Sequence, residues 1–198
     1  MPQPEPDDSV LDVFRTTGAY LNGHFRLTSG LHSPEYLQCA LVLQHPRFAE
    51  KLGRKLAAAV LRVAGADKIQ LVASPAIGGL IIGHEVARAL GTRFIFAERD
   101  AGKMTLRRGF EVTSGETAVV VEDVITTGGS TREVIEALRQ RGVRVLAAGS
   151  IIDRSGGKVD LGLPRVALET VTVVSHPPES CPLCAQGIPV VKPGSRPT

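Results

Sequence analysis

Residues 118–132 read Ala-Val-Val-Val-Glu-Asp-Val-Ile-Thr-Thr-Gly-Gly-Ser-Thr-Arg. The apolar, β-branched run Val119, Val120, Val121 predicts a strand buried on both faces. It stops at two adjacent acids, Glu122 and Asp123, and a short loop of hydroxyls and glycines leads into a helical pattern. Carboxylates at a strand end suit sugar hydroxyls or a cation. Backbone N–H groups at a helix start suit a phosphate. One segment thus offers both halves of a site for a phosphorylated sugar.

On either side of this stretch, strands alternate with helices. Upstream, strands are predicted over 69–73 and 93–97, with a helix over 80–90 between them that is apolar nearly all round and hence well buried. Downstream, a helix over 131–141 carries Glu133 and Glu136 early and Arg139 and Arg141 late, matching the macrodipole, and a strand covers 143–152. The alternation predicts an α/β core of parallel strands with right-handed crossovers, whose ligands bind off the carboxyl ends of the strands. Those ends are 74–79, 98–108, 122–130 and 153–157.

Outside the core, Ser9 is placed to cap a short helix over 9–17, with Gly18 as its stop. Strand character follows at 24–27 and 36–43, separated by the turn-rich 28–34. A long helix begins near Pro46, carries Phe48, Leu52, Leu56, Val60 and Val63 on one face, and ends at Gly65. Residues 164–174 add one or two strands, and the proline- and glycine-rich 175–198 is irregular. The expectation is one domain over 1–198, with a core of about 46–160 and a small hood from 1–45 and 161–198.

Composition excludes several classes. The 198 residues are 43% hydrophobic, yet no apolar run approaches the roughly 20 residues of a membrane span. Residues 1–10 are acidic and proline-rich, the opposite of a signal peptide. Three cysteines, an odd number, argue against a disulfide framework and for a reducing, cytoplasmic setting. Aromatics at 4% leave few stacking platforms, and a net charge of +3 is small, so nucleic acid is not expected. Local basic clustering at Arg99, Lys103, Arg107 and Arg108 fits an anionic small molecule better.

Two motif readings fail on spacing. A P-loop ATPase needs a Gly-x-x-x-x-Gly-Lys-Ser/Thr segment upstream of the acidic strand, and there is none. Residues 69–98 mimic a dinucleotide-binding unit, but Gly78, Gly79 and Gly83 do not make Gly-x-Gly-x-x-Gly. Cys181-Pro-Leu-Cys184 supplies two zinc ligands, with His176 nearby and Cys39 far off. Two reduced cysteines in a folded tail are the expectation. His24, His32, His45 and His84 read as structural or surface residues, His84 as a core histidine.

The run Val-Val-Glu-Asp-Val-Ile-Thr-Thr-Gly-Gly-Ser resembles the PRPP-binding signature of the type I phosphoribosyltransferases. Within them the chain is similar to the members that act on orotate. Ser29-Gly30-Leu31-His32-Ser33-Pro34 and Tyr36 resemble their N-terminal substrate segment, and Ile152-Asp153-Arg154 the strand end whose arginine reads the orotate carboxylate. The resemblance implies phosphoribosyl transfer from PRPP to orotate, a step of pyrimidine biosynthesis, with Mg2+ held mainly by PRPP rather than by protein side chains. The alternatives are another base, or a PRPP-fold regulator without chemistry.

By this resemblance Glu122 and Asp123 hold the ribose hydroxyls, with Val124 and Ile125 behind them. Thr126, Thr127, Gly128, Gly129 and Ser130 wrap the 5-phosphate. Thr126 and Arg154 meet orotate. Residues 74–79 approach the pyrophosphate through their backbone. Residues 99–110 match a mobile loop that reaches the partner's site in a homodimer and puts Arg99 and Lys103 on the pyrophosphate, so Lys103, Arg99 and Asp123 form the catalytic set. The chain departs from familiar members at Thr28, Gly78 and Asp100, where they carry lysine, at Ile77, where they carry tyrosine, and at Thr105, where they carry histidine. Arg107 or Arg108 is the candidate replacement charge.

Overall fold

The computed structural model describes residues 9–27 and 29–193; Thr28 and the first eight and last five residues lie outside them. The elements run α1 (Val10–Thr16), β1 (Tyr20–Arg26), β2 (His32–Leu37), α2 (Cys39–Leu43), α3 (Pro46–Ala64), β3 (Leu71–Pro75), α4 (Gly79–Leu90), β4 (Arg93–Asp100) and β5 (Lys103–Leu106). They continue with β6 (Thr117–Ile125), α5 (Gly129–Arg139), β7 (Arg144–Asp153), β8 (Arg165–Thr170), a 3-10 turn (Pro178–Ser180) and α6 (Pro182–Ala185). Two contact units result: residues up to Val42 together with those from Thr172 on, and Leu43–Val171.

The larger unit is built on a six-stranded sheet in the order β5-β4-β3-β6-β7-β8, parallel except for the β4–β5 hairpin. β6 sits in the middle, and its first five residues, Thr117 to Val121, are all buried. That explains their apolar, β-branched character: a central parallel strand is covered on both faces. Alternate residues of each strand turn to opposite faces. Leu71, Ala73, Ala118, Val120 and Ala148 cluster with Val134, Ile135 and Leu138 of α5. α3 and α4 pack on each other, α3 also on β7 and α4 on β3 and β6. α4 buries a single stripe, Gly79, Ile82, Gly83, Val86 and Ala87. Its other side is open, contrary to the all-round burial expected from its composition: Ile81 is exposed, and so is His84, which stacks edge-on against Phe94.

β8 pairs with β7 from Ala148↔Arg165 to Asp153↔Thr170, so residues 161–171, expected in the hood, complete the main sheet instead. This edge is fastened by a buried ion pair. Asp153, with no exposed surface, accepts from Arg165 Nη1 at 2.5 Å and from the Ser155 N–H and hydroxyl at 2.7 and 2.6 Å. Burial works to raise the Asp153 pKa, but the Ser155 bonds and Arg165 outweigh it and hold it below 3.8. The stabilisation from this depressed carboxyl is therefore complete above about pH 4 and is lost as pH falls through the folded-state value. Arg165→Ala strands a buried carboxylate and should cost about 2 kcal/mol at neutral pH by denaturant unfolding, with the deficit shrinking on acidification. An unchanged midpoint would sink this role.

In the smaller unit Ser9 caps α1 through a hydrogen bond from the Asp12 N–H at 3.1 Å. β1 and β2 form an antiparallel hairpin. The strand expected over 36–43 ends at Leu37. Cys39, Val42 and Leu43 bury at helical spacing, and a run this short carries no period that separates strand from helix. The tail lies along the hairpin. Arg26 and Val191 are joined by Arg26 N–H to Val191 carbonyl, and Val191 N–H returns to His24 carbonyl, both at 2.8 Å. His32 and His176 exchange two backbone bonds at 2.9 and 2.8 Å.

Candidate active site

β6 does not stop at the acids. β7 keeps pairing with it through Glu122↔Ser150, Val124↔Ile152 and Ile125↔Asp153, so the strand carries both carboxylates before it ends. Adjacent residues of a strand face opposite ways. Glu122 falls on the α5 side, where the Thr131 hydroxyl donates to its Oε2. Burial pushes its carboxyl up to about 7, opposed by the Thr131 bond and aided by the Asp123 charge. Asp123 falls on the α4 side, and burial raises it too, against backbone N–H groups of Val124 and Asp123. Two half-buried acids with raised pKa values favour a ligand that supplies hydroxyls or positive charge.

Asp123 lies against the backbone of Gly78. A Cβ built there would sit 2.5 Å from Asp123 Oδ1, so any side chain at position 78 would have to push the Asp123 carboxylate aside. The position offers a ligand main chain only. Beside it the Ala76–Ile77 peptide is cis and the Ile77 side chain is 83% exposed.

α5 begins at Gly129, two residues earlier than its pattern suggests, because Gly128 makes the turn at φ 73°. A Cβ there would also meet Val159 at 2.7 Å and Leu161 at 2.9 Å. No side chain caps α5, which leaves its first-turn N–H groups for an anion. Thr126 and Thr127 are exposed in front of it. Ile125 is different: its side chain belongs to the core, and only its backbone faces the site. Its carbonyl accepts the Arg154 N–H at 2.8 Å, which sets Arg154 beside Thr126 at the carboxyl ends of β6 and β7. Arg154 is not needed by Asp153, whose carboxylate is bound by Arg165 and Ser155.

Arg132 is a residue the motif reading passes over. Its guanidinium binds the Thr127 carbonyl at 2.8 Å and the Asp160 carbonyl at 2.9 Å, pinning the loop that leads into α5. The only cue in the sequence is its position four residues after Gly128.

The basic segment is more ordered than a loop. β4 runs on to Asp100, Ala101 and Gly102 turn with φ 48° and 83°, and β5 returns with Glu98↔Thr105 and Asp100↔Lys103 paired. Two consecutive positive φ values suit the twist of a tight hairpin. Arg99 bonds Glu133 of α5 and the Gly102 carbonyl, each at 2.9 Å. Arg108 forks onto Glu98, and Arg107 lies 3.6 Å from Asp100, so both candidate replacement charges are already matched. Among the described residues, Lys103 alone of these four cations makes no ion pair. It opens on a groove of about 380 Å³ shared with Arg132, Glu133, Glu136 and Gln140, none of them in 122–130.

Acids near the end of a central parallel strand, with an uncapped helix starting six residues after Asp123, make an α/β site suited to a phosphorylated sugar. The chain belongs to the phosphoribosyl transferase domain family, which matches residues 41–171. A Pelotomaculum thermopropionicum protein named orotate phosphoribosyltransferase is 61% identical over 189 residues, covering 96% of this chain and 97% of that one. The crystal structure of orotate phosphoribosyltransferase from Aeropyrum pernix matches with a TM-score of 0.65 and 27% identity, covering 82% of this chain and 93% of that one. Leishmania donovani UMP synthase shares the fold at 24% identity and a TM-score of 0.69 over 82% of this chain, which spans 36% of its length. No helix among the described residues is long and apolar enough to cross a membrane.

Proposed function

We propose that this protein transfers the phosphoribosyl group of PRPP to N1 of orotate, giving orotidine 5-phosphate and pyrophosphate. The observation that carries the PRPP half is the pairing, on one strand-loop-helix unit, of two half-buried carboxylates with an uncapped helix N-terminus. Similarity to proteins named orotate phosphoribosyltransferase supports the choice of base. The C1–N1 bond forms as the C1–oxygen bond to pyrophosphate breaks, positive charge grows on the ribose, and the N1 proton is given up to the departing pyrophosphate or to water. No protein nucleophile is required, so catalysis rests on positioning and electrostatics.

Glu122 and Asp123, at the carboxyl end of β6, take the ribose hydroxyls. Residues 126–130 take the 5-phosphate on α5, with Arg132 holding the loop in shape. The backbone around Gly78 faces the pyrophosphate. Magnesium fits here as the substrate's companion, because the carboxylates are hard oxygen donors whose raised pKa a cation reverses. When bound it neutralises charge on the leaving pyrophosphate. The chain works as a homodimer in which Lys103 and Arg99 serve the partner's site. The groove that places Lys103 along α5 rather than over its own residues 122–130 supports this reading. The reaction belongs in the cytoplasm, in keeping with three free cysteines.

The test is direct. With PRPP and magnesium, orotate absorbance should fall, while uracil and hypoxanthine should not react; consumption of either in place of orotate would move the assignment to that base. Arg154→Ala should raise the orotate KM by on the order of 10- to 100-fold, through loss of a charge-assisted contact, and leave the PRPP KM nearly unchanged. An unaltered orotate KM removes Arg154 from carboxylate recognition.

A further inference from the structure

We propose that His24, His32, Cys181 and Cys184 form a zinc site that straps the C-terminal tail to the β1–β2 hairpin. Their ligand atoms all lie within 4.8 Å of one another. The closest pairs are His24 Nε2 to His32 Nδ1 at 2.9 Å, Cys184 Sγ to His32 Nδ1 at 3.3 Å, and Cys181 and Cys184 Sγ to His24 Nε2 at 3.5 and 3.7 Å. A tetrahedron with Zn–N of about 2.0–2.1 Å and Zn–S of about 2.3 Å sets its donors roughly 3.3–3.8 Å apart. The four side chains stand close to those corners.

The tautomer agrees. His24 Nδ1 is 2.7 Å from the Ile188 carbonyl, which can only accept, so Nδ1 carries the proton and Nε2 turns its lone pair to the cluster. An outer bond of this kind is what orients a metal-bound imidazole. Two thiolates and two imidazoles are a soft, nitrogen- and sulfur-rich set that favours zinc over magnesium or calcium. Four protein ligands close the shell, which makes the site structural rather than catalytic. His176, the histidine nearest the two cysteines in sequence, pairs with His32 through its backbone, and against the expectation of two merely reduced cysteines the hairpin histidines complete the cluster.

The tail needs such a fastening. From residue 172 to 193 its one buried residue is Cys181, so apolar burial does little to hold it. Among the described residues, four backbone bonds at Arg26, His32, His176 and Val191 and the His24 side-chain bond to the Ile188 carbonyl otherwise join it to the hairpin strands. Units this small commonly rely on a metal or disulfides where the core is thin.

The experiment uses the full chain, purified untagged under reducing conditions, with zinc measured by inductively coupled plasma mass spectrometry. About one zinc per chain is expected. Exchange into cobalt should give the intense visible bands of a tetrahedral thiolate centre, and chelation should expose the tail to protease before residues 43–171 are cut. Cys184→Ser, at an exposed position, should retain native circular dichroism while binding zinc at least tenfold more weakly. His32→Ala supplies a second, independent ligand loss. The proposal is overturned if the reduced, folded protein fails to take up one equivalent of zinc or cobalt. It is equally overturned if Cys181 and Cys184 are recovered as a disulfide whose reduction confers no metal binding, or if Cys184→Ser binds zinc as tightly as the parent.

Discussion

Lys103→Ala is expected to lower turnover by a factor on the order of 100 or more, with orotate affinity nearly unchanged. Arg99, Arg107 and Arg108 all face carboxylates, so removing any one of them also releases an acid and blurs the result. Lys103 answers to no acid among the described residues, and its charge is available for a phosphate. The hairpin turn at Ala101 and Gly102 sets that ammonium at the tip of a strand pair rather than on a free loop. If it serves the partner's site, mixing Lys103→Ala with Asp123→Asn subunits should restore roughly a quarter of the activity, since about half the dimers are mixed and each holds one intact site. Steady-state kinetics on the single variant and on the mixture check both statements. Near-normal turnover of Lys103→Ala, or no rescue on mixing, counts against them in turn.

Glu122→Gln should separate binding from stability in opposite directions. Glutamine keeps the shape and can still accept from the Thr131 hydroxyl, but it carries no charge to hold the ribose. PRPP affinity should fall about 10- to 100-fold, the range for hydrogen bonds to a charged group. Stability should rise. Glu122 titrates near 7 when folded against 4.5 as the ordinary value. Between those values the unfolded chain binds fewer protons than the folded one, so ligand-free wild-type protein loses stability as pH rises, and the loss is complete above about pH 7. The variant has no such slope at this position. It should therefore be the more stable protein at pH 8, by at most about 3 kcal/mol, and match the wild type below pH 4.5. Thermal unfolding across pH without substrate tests the sign, and parallel curves for the two proteins would refute it.

What a sequence shows about this chain follows from which forces are local. The central strands and long helices are legible because Val119 to Val121 and the Leu52, Leu56, Val60 stripe repeat with the period of their own element. The end of β6 is not legible, since Glu122 and Asp123 look like a terminus and only the matching length of β7 keeps them in register. Lys103 to Leu106 becomes a strand because β4 offers it an edge. His84 escapes the core because α4 needs only one buried stripe, and composition alone does not say which face that is. In the site, the motif marks out residues 122–130 as one segment, yet it says nothing of Arg132, whose partners Thr127 and Asp160 meet only in the folded chain. The joining of His24 and His32 to a C-x-x-C some 150 positions away has no local trace at all.

Because the smaller unit draws on both ends of the chain, its assembly is tied to the order of synthesis. Residues 43–171 lie between its two parts. At ribosomal rates of about 5–20 residues per second, the β1–β2 hairpin waits roughly 6–26 s for the tail that lies along it. The six-stranded sheet has all its strands before then and can fold first. A chain cut after β8 thus keeps every strand of the sheet but leaves the hairpin without the tail that lies along it, a difference a protease can read.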